Sequence, residues 1–245
     1  MIDAIRSEWI KVSTIRVTWV LTLAAIAFPL AITVLTAIFA EDPPDGSDLA
    51  GLVAGLTIVS AMLLGVVASL GITNEFSHGT IRPTFAAMPD RVRPLLAKPI
   101  VQVTLAVVVT AAIVVAGWLA GSALADEAQS LDDDGAAPAL VGVVVLAVGL
   151  TLLGYGLGLL IRNSAATICL LLLWPLIAEG LVAGLLSAVG ADGLLKFLPY
   201  SSGFNMAVTD PDPELFGRGA GGLYFFSWVI VIVVLGFISA RRRDA

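Results

Sequence analysis

One cysteine, Cys169, and one histidine, His78, are all that the chain holds of those two residue types. An intrachain disulfide and a thiolate–imidazole metal cluster are thereby excluded. Lysine is nearly as scarce. Lys11, Lys98 and Lys196 follow isoleucine, alanine and leucine, so none belongs to the Gly-Lys-Ser/Thr ending of a phosphate-binding loop. No Gly-x-Ser-x-Gly elbow and no His-Glu-x-x-His occurs. Charge is thin as well: charged residues make up 13% and hydrophobic ones 58%. A chain with that balance cannot bury its apolar surface and still keep a wet exterior.

What is present is a series of long apolar runs, in a chain of mean hydropathy +1.00. About 20 apolar residues cross a bilayer as a helix. Six runs reach that length, giving spans at about 17–40, 50–76, 96–125, 138–161, 165–190 and 220–240. They are rich in Leu, Val, Ile and Ala without strand-like alternation, so the expected fold is all-α and polytopic. The first run is too long, and its flank too long and too acidic, for a cleaved signal peptide; it is expected to stay as a helix.

The net charge of −6 is less informative than its distribution. Lys and Arg precede the first run, follow the second, fourth and sixth, and leave only Lys196 and Arg218 on the other side. That bias assigns the basic side, with both termini, to the cytoplasm. Acids are biased the other way: Glu41, Asp42, Asp45 and Asp48 fill the first outer loop, and Asp126, Glu127 and Asp132–Asp134 the second. The acidic balance reflects these loops and implies no nucleic-acid partner.

Ile2, Ile5, Trp9 and Val12 of residues 1–16, with Trp19 just beyond them, fall on one helical stripe, with Arg6 and Lys11 off it. An interfacial helix anchored by tryptophan is expected. Gly154, Gly156 and Gly158 lie within the fourth run, where small residues serve close helix packing rather than phosphate binding. Only Arg162-Asn163-Ser164 separate the fourth and fifth runs, which predicts a tight hairpin. The 191–219 connection is semi-apolar and broken by Pro199, Pro211 and Pro213. It reads as an extracellular connection, made either of short helices dipping into the outer leaflet or of an ordered loop. Glu179 is the one acid inside the fifth run, just after Pro175. Its two readings are a group on a translocation path or dimer seam, and a structural hydrogen bond to a neighbouring helix.

The polar segment EFSHGTIRP, Glu75–Pro83, interrupts the apolar pattern on the cytoplasmic side. Gly79 suits a helix stop, Thr80 a new cap, and Pro89 an end to a short helix. The segment 77–94 is far longer than a loop of about four residues needs to be. It carries Ile81, Phe85 and Met88 on a charged elbow, as a docking site for a cytoplasmic partner would. Glu75 is expected to pair with Arg82 or Lys98 and stiffen the joint.

Glu75-x-x-x-Gly79-Thr80, followed by Pro89-x-Arg91 and Ala97-Lys98, resembles the cytoplasmic loop of ABC-2 type transporter permeases. Ser7-Glu8-Trp9-x-Lys11, with Arg16 and Trp19, resembles the N-terminal elbow of the same family. The pattern departs at Pro83 and at Arg93-Pro94. The resemblance implies a coupling helix formed from Glu75, Gly79, Thr80, Ile81, Arg82, Phe85, Met88 and Arg91, docked on a separate ATPase. It implies two permeases, identical or paralogous, with two such ATPases. ATP and Mg would be held by the ATPases, with no cofactor and no catalytic group in this chain. The expected function is a permease of the bacterial plasma membrane, exporting an amphipathic or lipid-like substrate by alternating access. The alternatives are an ion-coupled secondary transporter or channel, which would carry several intramembrane charges, and an intramembrane enzyme, which would need paired catalytic groups on facing spans.

Overall fold

The computed structural model describes residues 1–40, 44, 46–79, 92–124, 129–132 and 135–242, without the side chains of residues 92, 241 and 242. Every regular element among the described residues is helical. Helix α1 spans Ile2–Thr14 and α2 spans Arg16–Phe39, with the extended Ile15 as the only residue between them. The corner is held by Trp19, whose indole Nε1 donates to Ser13 O at 2.7 Å. Then follow α3 (Gly46–Ser77), α4 (Val92–Leu124) and α5 (Ala136–Ile161). Helix α6 (Ser164–Leu173) runs through a π-helical stretch, Trp174–Glu179, into α7 (Gly180–Ala188). Short α8 (Pro199–Phe204) and long α9 (Arg218–Arg242) complete the chain. Among the described residues, six helices are long and apolar enough to cross a membrane: α2, α3, α4, α5, the continuous α6–α7 unit and α9.

Helices α3 and α5 form the centre. In each, 61% of the most apolar stretch is buried, against 11% in α6–α7. Glycine makes this pairing possible. A side chain on Gly154 of α5 would collide with the Gly65 carbonyl of α3, and one on Gly65 would sit 2.9 Å from Leu150 O. Gly156 faces Val233 of α9, and Gly158 faces Ile72 of α3. The glycine rhythm therefore packs three helices against one another at backbone distance, as small residues do where lipid supplies no hydrophobic drive for association.

The α5–α6 connection is as short as the sequence predicts. Arg162 adopts the left-handed conformation (φ 56°) and donates its backbone N–H to Gly158 O at 3.0 Å. Asn163 caps α6 by accepting from Ala166 N at 3.0 Å. The Arg162 guanidinium donates to Ser239 O at 3.2 Å and lies 4.4 Å from the Phe76 ring centroid, so the hairpin is tied to both α9 and α3. At Pro175 the missing N–H breaks the regular ladder, and the helix widens into π turns.

The connection between α7 and α9 is ordered as short helical turns: a 3₁₀ turn at Asp192–Phe197, α8, and another at Asn205–Ala207. Tyr200, Ser202, Gly203, Asn205, Met206 and Ala207 are buried. Gly142 of α5 lies directly beneath the Met206 carbonyl. Asn205 holds the following loop by donating to Phe216 O at 3.1 Å and accepting from Asp212 N at 2.8 Å. The Arg218 guanidinium donates to Val208 O and Thr209 O, both at 2.7 Å.

Candidate functional site

Four charged residues from three helices meet at the end of the bundle that carries α1. Residues 4, 8 and 11 lie on one face of α1 by helical spacing. That face, not the tryptophan stripe, packs on the bundle: Ala4 and Glu8 are buried, whereas Ile2 and Trp9 are exposed. Glu75 comes from the last turns of α3, and Lys98 from the start of α4. Lys98 Nζ donates to Glu8 Oε2 at 2.7 Å and to Glu75 Oε1 at 2.6 Å. Lys11 Nζ donates to Glu8 Oε1 at 2.7 Å and to Glu75 Oε1 at 2.8 Å. The result is a closed ring in which each cation touches both anions.

Glu8 and Lys98 are each only 5% exposed, so the ring is desolvated at its centre. Charges that deep persist only when paired and hydrogen-bonded. Burial pulls the Lys11 ammonium down, but hydrogen bonds to Glu75 and Glu8 outweigh it, and its pKa is held above the ordinary 10.5. Tyr155 of α5 backs the ring and donates its hydroxyl to Leu95 O at 2.7 Å, joining α5 to α4. The charges thus brace α1, the end of α3 and the start of α4 against one another, on either side of the connection that joins α3 to α4.

The expected Glu75–Lys98 pair is present, and Gly79 ends the α3 segment with φ +67°. Thr80, Ile81, Arg82, Phe85, Met88 and Arg91 lie outside the described residues. The sequence reading missed Glu8 and Lys11 as partners. The available signal was their spacing of three on α1, which sets an acid and a base on one helical face.

At the opposite end, Glu179 is buried at the close of the π-helical stretch. Its carboxylate accepts from Tyr200 N at 3.0 Å, Ser201 N at 2.8 Å and Ser201 Oγ at 2.9 Å. It therefore caps the first turn of α8, whose N–H groups have no partner within the helix. Burial, with the nearby Glu179 charge, raises the Tyr200 pKa, so its hydroxyl stays neutral. Among the described residues, no group of three or more His, Cys, Asp or Glu side chains could hold a metal ion.

Residues 4–178 match the family described as ABC-2 family transporter protein. The chain belongs to this family. Comparison with curated proteins gave no match. The segment shared with the ABC-2 family runs from α1 into the π-helical stretch and contains all four residues of the charge ring. With six apolar helices, this ABC-2 protein is a multi-pass membrane protein and the permease component of an ABC transporter.

Proposed function

We propose that the chain is the permease subunit of an exporter in the bacterial plasma membrane, with the α1 end and both termini in the cytoplasm. Two permeases, identical or paralogous, would combine with two separate ATPases that hold ATP and Mg. Segment 77–94 would dock on the ATPase through Ile81, Phe85 and Met88, with Thr80, Arg82 and Arg91 contributing polar contacts. An amphipathic or lipid-like substrate suits the mostly apolar spans. Alternating access would follow from nucleotide-controlled closure of the ATPases.

The charge ring is the observation that carries this reading. Glu75 and Lys98 are joined just inside the two ends of the connection, and Glu8 and Lys11 lock α1 to the same point. A push on the connection would then move α1 and the adjoining ends of α3 and α4 as one body instead of dissipating in a loose hinge. Co-expression with an ATPase encoded beside the gene, followed by pull-down, tests the assembly. Phe85→Asp is expected to abolish co-purification while the permease still inserts and folds. Unchanged co-purification would remove the docking site.

A further inference from the structure

Beside the charge ring lies a partly open cleft of about 430 Å³, lined by one copy of the chain. Its size falls at the lower end of the range for small-molecule sites, roughly 300–1,000 Å³. One wall is apolar, built from Val12, Leu21, Val67, Leu70 and Ile72. The other end presents Glu8, Lys11, Glu75, Lys98 and Gln102. Ile15 and Val17 also line it and are half exposed on the outer surface of the helix bundle, so the cleft has an apolar rim at the α1–α2 corner.

Gln102 is the unexplained group. It is only 8% exposed, lines the cleft, and makes no hydrogen bond among the described residues. Its amide nitrogen lies against Gly71, 3.0 Å from where a β-carbon on that glycine would stand. Among the described residues, the buried polar atom left without a partner at this end is Glu75 Oε2, and an unsatisfied buried acceptor costs about 1–3 kcal/mol, so the cleft end offers both a spare acceptor and an uncommitted amide. Lys11 and Lys98 each use two N–H donors in the ring and retain a third. The ring's two carboxylates and two ammonium groups cancel. A charged head would have to compete with charges that are already paired to one another, whereas a hydroxyl head could accept from the lysines, donate to Glu75 Oε2 and exchange hydrogen bonds with Gln102.

We propose that this cleft binds an uncharged, hydroxyl-bearing amphiphile with a single aliphatic chain, taken in from the lipid past Ile15 and Val17. Its hydroxyls meet Gln102 and the spare lysine donors, and its chain lies along Leu21, Val67 and Leu70. The site belongs to one permease copy. It is independent of the ATPase and of any path between two copies.

The test uses the full chain alone, in phosphatidylcholine nanodiscs whose headgroup has no hydrogen-bond donor. A diazirine-bearing monoacylglycerol is the probe. A fatty acid anion and an alkyltrimethylammonium of equal chain length, bearing the same diazirine, are the charged comparisons. Saturable labelling of peptides from α2 and the second half of α3 is expected, displaced by excess unlabelled monoacylglycerol. Gln102→Leu should raise the half-saturating concentration on the order of tenfold, the effect of losing one hydrogen-bonded head contact. Thr18→Trp, at a partly exposed lining position, should fill the cleft and abolish saturable labelling without disturbing the buried ring. The proposal is overturned by unsaturable labelling spread over the lipid-facing helices, by saturable labelling unchanged in both variants, or by equal labelling with either charged probe. Because no ATPase is present, failure of docking at Phe85 and failure of this site are separate results.

Discussion

Lys98 shows what a single residue contributes here. Its ammonium is buried between two carboxylates at 2.6 and 2.7 Å. Removing one partner from a buried ion pair typically costs about 3–5 kcal/mol, because the remaining charge is stranded. Lys98→Ala should therefore lower the unfolding midpoint of the purified permease strongly. Adding Glu75→Ala should recover part of the loss, since the double variant strands less charge; strictly additive losses in a double-mutant cycle would contradict the ring. Glu179 behaves as a second anchor. Glu179→Ala leaves two backbone N–H groups of α8 without their acceptor, a loss of about 2–4 kcal/mol by the cost of unsatisfied donors. Glu179→Gln retains an acceptor oxygen and should lose about half as much, on the difference between charged and neutral acceptors. Thermal unfolding in detergent distinguishes the two. Equal stability of Glu179→Ala and wild type would remove the capping role.

At the scale of elements, α1 is held to the bundle through a face that its own apolar pattern conceals. Ile2, Ile5, Trp9 and Val12 mark the conspicuous stripe, yet Ala4, Glu8 and Lys11 are the residues turned to the bundle and the charge ring. Hydropathy identified α1 as amphipathic but could not reveal which side would meet protein, because in a bilayer the apolar side has lipid as an equally good neighbour. Docking through Lys11 has a pH signature. A cation whose pKa is raised in the folded state contributes stability in full below its unfolded value and loses it as pH rises through the folded value. The Lys11 pKa lies above the ordinary 10.5, so α1 should stay docked through neutral and mildly alkaline pH and loosen only above that value. Proteolytic release of residues 1–15 measured against pH checks this; release already complete at pH 9 would exclude a charge-held α1. The capping of α8 by Glu179 was equally veiled. Its sequence permits short helices or an ordered loop, and Glu179, twenty-one residues before Tyr200, decides for α8 by supplying the acceptor for its first turn.

For the whole molecule, orientation is the quantity on which transport depends. Lys196 and Arg218 are the two basic residues away from the α1 end, which predicts that end inside. Replacing the one cysteine, Cys169, with alanine gives a background for single-cysteine labelling. His78→Cys should react with a membrane-impermeant maleimide only when the inner surface is opened, and Ser130→Cys should react in intact cells. The reverse pattern would invert the proposed mechanism, because an ATPase could then never reach segment 77–94.

The sequence by itself determined the number of spans, their helical character and the tightness of the α5–α6 turn. Each follows from local causes: apolar length, the absence of alternation, and the residues beside a short break. It also singled out Glu75 as a joint and Lys98 as a candidate partner. What only tertiary structure decided was the company these residues keep. The carboxylates of Glu8 and Glu75 lie 67 positions apart in the chain and share the same two lysines because α1 folds back against the start of α4, beside the last turns of α3. Whether a buried charge is stranded, capped or braced depends on groups brought near by packing, and no periodicity along the chain encodes that distance.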